Sequence, residues 1–283
     1  MSTVKPNGRL LRKRFSSKFQ RGLSLLGRPR ELAGYIVGPK VLMVSIPKAG
    51  THLLLRALDL FPQLRAGSGL VFIPEEERIR RISMMKPGQI VRMHAPRSPI
   101  LDNLIERNDI RVFYIVRDPR DVCVSYMYYC LNEPKHNKHD YFSSLLNNEE
   151  RLLVTITGFT GEHKGQKIWI GPIDHYYRHF YSWSLHPSCC TIRFEELVGP
   201  NGGGDQKQQL ATIQRLADHI NFQLSAREIN QIANNLYTPE SPTFRRGQIG
   251  SWRDEMTNSQ IKKVKEIAGQ LLIDLGYETH LDW

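Results

Sequence analysis

The sequence contains few cysteines, and they are not spaced for metal binding or for disulfides. It has four cysteines in 283 residues. Cys123 and Cys130 lie seven positions apart on a predicted helix, about 10 Å along its axis, which is too far for a bridge. Cys189 and Cys190 are neighbours in a predicted strand. The absence of a Cys-x-x-Cys pair excludes the common metal and redox motifs, so we expect free thiols in a reducing compartment.

Long apolar runs are also absent from the sequence. No uncharged apolar stretch reaches the ~18 residues that a membrane-spanning helix needs, and there is no secretory hydrophobic segment. We therefore expect a chain without an integral membrane segment that is located in the cytoplasm.

Acidic residues are missing from the first 30 positions, which hold nine Lys or Arg residues. Removing these nine charges from the net charge of +11 leaves a body that carries only about +2. A nearly neutral body argues against a nucleic-acid-binding face, so we expect no nucleic-acid partner. We interpret residues 1–35 as a basic N-terminal arm. The alternatives are an organelle transit peptide, which would change the location, and a membrane-surface helix.

Short runs rich in β-branched residues alternate with helical patterns over the rest of the chain, which is typical of a parallel sheet with crossover helices. The 40% hydrophobic content and the length suit one main domain, which we assign to residues 36–283. The predicted fold class is α/β, a single domain with an open, mostly parallel sheet flanked by helices. The predicted strands are 41–46, 90–94, 112–116 and 191–194, and the predicted helices are 51–60, 119–130, 207–220, 226–235 and 258–275.

One stretch, residues 131–171, interrupts this alternation with Asn, Lys, His and Gly and is longer than an ordinary connection. Two interpretations remain open, a lid over an acceptor site and a solvated insertion.

Three segments of the sequence favour phosphate binding. In the first, a predicted strand runs into Pro47–His52 and then into a helix that begins near Leu53. Backbone N–H groups at a helix N-terminus form an anion cradle, where Gly50 allows close approach and Lys48 adds a positive charge. The lysine precedes the glycine, unlike in a Walker loop, which disfavours an ordinary ATP or GTP hydrolase. A plain strand-to-helix turn is the alternative.

The second segment places Arg117 at the end of a predicted strand and Ser125 about two helical turns later. An arginine fork and a hydroxyl at this spacing can bind one phosphate. The alternative is a surface ion pair between Arg117 and Asp121.

The third segment, Arg245–Trp252, is basic and interrupted by glycines. Its two leading arginines beside flexible backbone amides suit a second phosphate clamp. A solvated charged loop is the alternative.

In order and spacing, the three segments resemble the sulfotransferases that use 3′-phosphoadenosine 5′-phosphosulfate, particularly the soluble, cytosolic-type branch. In that family, a P-loop-like segment similar to Pro47–His52 binds the 5′-phosphosulfate. The Arg and Ser matched by Arg117 and Ser125 bind the 3′-phosphate, and a segment similar to Arg245–Trp252 closes over it. The resemblance implies that the donor, and its product adenosine 3′,5′-bisphosphate, bind at Lys48, Ala49, Gly50, Thr51, His52, Leu53, Arg117, Ser125, Phe194, Arg245, Arg246 and Gly247.

The resemblance extends to a catalytic histidine, because Met93–Pro96 follow a strand as the family's histidine segment does. It implies that His94 is the general base and that Lys48 is the second catalytic residue. A histidine with a pKa of about 6.5 suits the removal of an acceptor proton, and Lys48 with the loop amides can stabilise the leaving group. The implied reaction is in-line attack of an acceptor oxygen or nitrogen on sulfur, without a metal. In the family, the serine matched by Ser125 can engage the lysine before the acceptor arrives.

The sequence departs from the family at several positions. Leu53 stands where the soluble enzymes commonly have a tryptophan against adenine, so we assign that contact to Phe194. The family's dimer motif is poorly matched in residues 253–262, where only Thr257 falls correctly, and the oligomeric state stays open. These departures indicate a remote member of the family.

Aromatic residues are the candidates for the acceptor site, although aromatic side chains are usually core. The residues assigned to this role are Tyr126, Tyr129, Tyr176 and Trp183. His175 and His179 lie four apart, as in a zinc pair, but no Glu stands in the His-Glu-x-x-His position; we expect a helix that lines the acceptor channel instead. Residues 75–77 are three glutamates that are either solvated or, if they border the pocket, favour a cationic acceptor.

The leading hypothesis is a small-molecule sulfotransferase. The runner-up among enzymes is a carbohydrate sulfotransferase, which typically uses a glutamate base and a membrane-anchored form. A nucleotide kinase would need Mg²⁺ and a Walker-like lysine. The remaining alternative is a nucleotide-binding module without catalysis.

Overall fold

The computed structural model describes residues 36–70, 73–237 and 245–283, and the predicted basic arm over residues 1–35 lies outside the described residues. The strands are β1 Lys40–Ser45, β2 Arg65–Leu70, β3 Gln89–Met93, β4 Ile110–Val116, β5 Phe159–His163, β6 Gln166–Ile170 and β7 Cys189–Arg193. The helices are α1 Thr51–Asp59, α2 Glu75–Ser83, α3 Pro99–Arg107, α4 Pro119–Asn132, α5 His139–Ser144, α6 Asn148–Thr157, α7 Ile173–Phe180, α8 Phe194–Leu197, α9 Gln206–His219, α10 Ala226–Asn234, α11 Trp252–Glu255 and α12 Asn258–Asp274, with 3₁₀ turns at Tyr181–Leu185 and Pro200–Gly202.

Five strands form a parallel sheet in the order β2-β3-β1-β4-β7, and β5 and β6 form a separate antiparallel hairpin. The middle strand β1 is covered on both faces, and Val41, Leu42, Met43 and Val44 have no exposed surface. This burial on both faces explains the continuous apolar run that predicted the strand. The predicted α/β fold, with an open, mostly parallel sheet flanked by helices, is confirmed.

The core has one hydrophobic cluster on each face of the sheet. On one face, α1, α9 and α10 pack residues such as Leu58 and Leu216 against the strands. On the other face, α4, α6, α7 and α12 contribute residues such as Met127 and Leu272. Within the described ranges, no helix is both long and apolar enough to cross a membrane.

Helix starts follow local side-chain capping. Asp118 accepts a hydrogen bond from the amide of Arg120, and Pro119 occupies the first turn of α4. Thr257 caps α12 in a reciprocal capping box with Gln260. The one residue that fits the family's dimer motif therefore has a structural role of its own in this chain.

The register of the sheet brings the ends of four strands to one edge. Val44 in β1 pairs with Met93 in β3, and Val116 in β4 pairs with Arg193 in β7. Because parallel strands share their direction, the residues that follow these strands meet beyond the same carboxyl edge, where open α/β sheets bind ligands.

The four predicted strands and five predicted helices all occur, with ends that shift by at most two residues. One difference is Phe194, which was predicted to end β7 but begins α8. Residues 131–171 contain α5, α6 and the β5–β6 hairpin, so this stretch has its own secondary structure.

Candidate active site

A cavity of about 820 Å³ opens at the carboxyl edge of the sheet. It collects predicted residues from all three phosphate-binding segments together with His94 and three of the four predicted acceptor-site aromatics. These residues are Lys48, Gly50, Thr51, His52, Leu53, Arg117, Ser125, Phe194, Arg245, Arg246, Gly247, His94, Tyr126, Tyr129 and Tyr176.

Ala49, which was predicted to bind the donor, and Trp183, which was predicted to bind the acceptor, are not among the residues that line this cavity. The methyl group of Ala49 is fully buried, and its amide donates to the carbonyl of Ile46 at 3.1 Å, so neither group faces a ligand. Trp183 is also fully buried, and its Nε1 donates to the carbonyl of Ala95 at 3.0 Å. The indole therefore fixes the backbone just after His94 from within the core.

The loop between β1 and α1 has an unusual backbone. Lys48 and Gly50 both have left-handed conformations, with φ of 72° and 108°. A Cβ atom at Gly50 would lie 2.8 Å from the ring of Phe194 and 3.0 Å from Ile115. Glycine is therefore required both for the turn and for the close contact with α8. The turn leaves the first amides of α1 directed out of the helix, where they can bind an anion.

The ammonium group of Lys48 projects into the cavity and lies 4.2 Å from the ring centroid of Tyr129. Burial, together with the neighbouring charges of Arg117 and Arg245, lowers its pKa to about 8. No hydrogen bond joins Lys48 to Ser125, although both are described and both line the cavity. Tyr129, one helical turn after Ser125, contacts the lysine instead.

Arg117 is held rigidly at the end of β4. Its Nη2 donates to the carbonyl of Gln248 at 2.7 Å, its guanidinium stacks 4.2 Å from the centroid of Phe194, and its ion pair with Asp121 spans 3.3 Å. Its Nε is buried and has no hydrogen-bond partner among the residues that the structure describes. The Arg117–Asp121 pair predicted as an alternative is present, but it is buried rather than on the surface. Phe194 thus supports Arg117 with one face of its ring.

Asp121 connects α4 to the third phosphate-binding segment. Its carboxylate accepts hydrogen bonds from the amides of Gly250 at 2.8 Å and Trp252 at 3.1 Å, while it also pairs with Arg117. Burial raises its pKa, and the charge of Arg117 opposes that shift. The buried carboxylate of Asp121 therefore connects the segment Arg245–Trp252 to Arg117.

The two leading arginines of that segment reach the cavity from its rim. Arg245 pairs with Glu255 at 3.1 Å and stacks 4.4 Å from the ring of Tyr128. Arg246 lies 3.6 Å from the same carboxylate and leaves half of its side chain exposed. Gly247, with φ of 61°, follows them. The segment is thus anchored to α11 and is not simply a solvated loop.

His94 lies directly after β3 and is held by the end of β1. Its Nδ1 lies 2.6 Å from the carbonyl oxygen of Ser45 and 3.2 Å from the Ser45 hydroxyl. A carbonyl oxygen only accepts hydrogen bonds, so Nδ1 carries the proton of the neutral ring and Nε2 presents a lone pair. Burial lowers the pKa of His94, the hydrogen bond to Ser45 opposes this, and the charge of Arg92 adds to it.

Ser45 links the histidine to the phosphate loop, because its hydroxyl lies 2.8 Å from that of Thr51. Ser45 was not predicted as a site residue; its one signal is a polar residue at the end of an apolar strand. Leu236, Tyr237 and Arg92 also line the cavity without having been predicted.

The other half of the cavity is built from α4, α7 and the segment 131–171. The helix α7 lines it with His175 and Tyr176, as expected for a channel wall. His175 and His179 stack with ring centroids 4.1 Å apart. No group of three metal-ligating side chains occurs among the residues that the structure describes. Glu75, Glu76 and Glu77 lie on α2 outside the cavity, and Glu77 pairs with two arginines of its own helix, Arg80 and Arg81.

The lining of the cavity fits an anion. In the described part of the chain it includes Lys48, Arg92, Arg117, Arg245 and Arg246 but no Asp or Glu. The unpartnered Nε of Arg117 and the Lys48 pKa lowered by neighbouring cations both indicate positive charges that a bound anion would stabilise.

Comparison with known proteins agrees with this geometry. The sulfotransferase domain matches residues 38–276, which is most of the chain. The chain therefore belongs to the sulfotransferase family, and its predicted assignment to that family is confirmed.

Its relatives are distant but extend along nearly the whole chain. It is 20% identical to human sulfotransferase 4A1 over 275 residues, which cover 90% of this chain and 89% of the relative. Its fold is similar to that of mouse sulfotransferase SULT7A1 complexed with PAP, with a TM-score of 0.59, 18% identity, and coverage of 87% of this chain and 90% of that one. Retinol dehydratase in a complex with retinol and PAP gives a TM-score of 0.53 at 15% identity, covering 88% of this chain and 86% of the other.

Proposed function

We propose that the chain transfers a sulfuryl group from 3′-phosphoadenosine 5′-phosphosulfate to a hydroxyl or amine of a small-molecule acceptor. The observation that carries this proposal is the fixed tautomer of His94. Its Nδ1–H donates to the carbonyl of Ser45, which leaves Nε2 free to accept a proton. Among the described residues, the charged side chains that line the same cavity are lysines and arginines.

The donor binds through the residues of the three phosphate segments. Lys48 and the first amides of α1 hold the 5′ end, while Arg117, Ser125, Arg245 and Arg246 hold the 3′-phosphate. Leu53, Leu236 and Tyr237 supply apolar contacts for adenine, since Phe194 already covers Arg117. The product is adenosine 3′,5′-bisphosphate, abbreviated PAP.

In the proposed reaction, His94 and Lys48 have the two chemical roles. The acceptor oxygen or nitrogen forms a bond to sulfur as the bond between sulfur and the bridging phosphate oxygen breaks. The acceptor proton passes to Nε2 of His94 and then to solvent. Lys48 stabilises the negative charge that grows on the leaving phosphate oxygen, and both groups are already in place before reaction. The sulfuryl group itself comes from the donor.

The experiment that tests the proposal is incubation of the full chain with labelled donor and a panel of phenols, alcohols and amines, scored by product mass. We expect metal-independent sulfation together with release of PAP, and loss of both with Lys48→Met. A protein that binds PAP but sulfates no acceptor in the panel would support the nucleotide-binding module instead. A carbohydrate sulfotransferase would prefer sugar acceptors and is disfavoured by a histidine base.

We place this activity in the cytoplasm, which suits the four free cysteines. Expression of the full chain with a C-terminal tag, followed by cell fractionation, tests this location. Import and cleavage near residues 1–35 would favour the organelle-targeted alternative.

A further inference from the structure

Arg92 is a charged residue in the cavity wall for which the roles described above give no task. It lies near the end of β3, half-buried, and lines the cavity. Its Nε is buried without a hydrogen-bond partner, and no carboxylate of the described residues pairs with its guanidinium. Burial alone lowers its pKa, yet an arginine remains charged at neutral pH. An unpaired, partly desolvated cation is unfavourable unless a ligand supplies the opposite charge.

The position of Arg92 connects it to the acceptor rather than to the donor phosphates. Arg92 and His94 are two residues apart along the strand direction, about 7 Å, and therefore lie on the same side of the sheet. The neighbouring strand presents Gly69 opposite Arg92, and both residues line the cavity. Burial lowers the pKa of both His94 and His52, and the charge of Arg92 lowers each further.

The rest of this half of the cavity provides no counter-charge. No Asp or Glu of the described residues lines it. Its basic side chains include four imidazoles and one ammonium group, which are His52, His136, His175, His179 and Lys138. The walls between them are aromatic, with Tyr126, Trp169 and Tyr176 exposed to the cavity. Such a site excludes cations and favours a planar apolar molecule that carries negative charge.

We propose that the acceptor is an aromatic hydroxy or amino compound bearing a carboxylate, and that Arg92 binds this carboxylate while His94 takes the proton of the reacting group. This inference rests on the proposed sulfuryl transfer and names its acceptor class. The planar fork of Arg92 matches a carboxylate through two parallel hydrogen bonds. A carboxylate and a reacting group on one aromatic molecule fit two cavity-lining residues that lie two positions apart in the sequence.

The test compares two acceptors that differ only in charge, a hydroxyaryl carboxylic acid and its primary amide. We expect the wild-type chain to favour the acid in kcat/KM by roughly 10–100-fold, the range expected for a charge-assisted pair. Arg92→Met should abolish this preference by lowering kcat/KM for the acid much more than for the amide, and Arg92→Lys should retain part of it. Arg97→Met is the matched control, because Arg97 follows His94 closely but pairs with Asp102 at 2.8 Å and does not line the cavity.

A binding measurement separates this inference from the proposed reaction. Each acceptor is titrated calorimetrically into the full chain saturated with PAP, for wild type and for Arg92→Met, whose fold is verified by its thermal midpoint. If the acid binds more tightly through Arg92 but is not sulfated, the carboxylate subsite stands and the proposed reaction fails. If acid and amide bind equally, or if Arg92→Met lowers turnover of both by the same factor, the subsite is wrong and Arg92 acts on the transferred group.

Discussion

The Nδ1 atom of His94 lies 2.6 Å from the carbonyl oxygen of Ser45, at the junction of β1 and β3. This contact sets the tautomer of the imidazole through the backbone of the neighbouring strand, and no carboxylate of the described residues contacts the ring. The same serine also contacts Thr51 at the start of α1. His94 and the loop between β1 and α1 are therefore positioned by one residue, and a change in either is expected to affect the other.

The pH dependence of the reaction follows from the shifted pKa values of His94 and Lys48. In the proposed reaction His94 acts in its neutral form, and burial lowers its pKa, so activity should persist below pH 6.5 and fall as pH drops through that lowered pKa. In the same proposal Lys48 acts in its charged form with a pKa of about 8, so kcat/KM for the donor should fall above about pH 8. The bell-shaped profile is measured by initial rates with a neutral acceptor.

The alkaline side of this profile can be assigned to Lys48. Lys48→Arg keeps its charge at high pH and should remove the alkaline fall, whatever its effect on the maximum rate. An unchanged alkaline fall in this variant would show that another group titrates there.

The left-handed turn at Gly50 is expected to be essential for donor binding. Gly50→Ala would impose a φ of 108° on a residue with a Cβ and place that Cβ 2.8 Å from Phe194, which supports Arg117. We expect weaker PAP binding by at least roughly 10-fold, together with a lower thermal midpoint. Gly165→Ala is the matched control, since its φ is 74° but nothing lies within 4 Å of the new Cβ. Equal loss of PAP affinity in both variants would contradict a specific role for the phosphate loop.

Asp121 is expected to act as a positioning residue for the third phosphate-binding segment. Asp121→Asn keeps the size of the side chain, but it removes the charge that pairs with Arg117 and weakens the bonds to the amides of Gly250 and Trp252. We expect PAP affinity to fall by roughly 10-fold or more while KM for the acceptor changes little. Asp140→Asn is the control, because Asp140 forms an exposed ion pair with Lys164. A change in acceptor KM alone would argue against this role.

The sequence predicted the parts of the fold that have strong local patterns. The buried runs in β1 and β4 and the long helices α4 and α12 were predicted with small shifts at their ends. Strand β2 was missed because Arg65–Leu70 is polar and glycine-rich and gains its order from pairing with β3. The local sequence does not show this pairing between distant strands.

The site residues likewise differ in how far a local sequence pattern predicts them. The three segments predicted to bind phosphate were identified through their order and spacing, and the structure brings them to one cavity. Trp183 was assigned to the acceptor site, but an aromatic residue near a site can as well be core, and here its indole donates to the carbonyl of Ala95 inside the fold. Arg92 was not predicted as a site residue, because what distinguishes it is that no carboxylate of the described residues pairs with it. Only the folded chain shows this.

The role of His94 as the base is tested most directly by comparing wild type and His94→Ala. Both are assayed with labelled donor and an acceptor from the panel that the wild type sulfates, and the PAP affinity of both is measured. We predict that wild type forms one sulfated product for each PAP released. His94→Ala should be slower by roughly 100-fold to 10,000-fold and bind PAP with nearly unchanged affinity. Wild-type turnover in His94→Ala, or a wild-type chain that binds PAP and transfers nothing, would contradict the account.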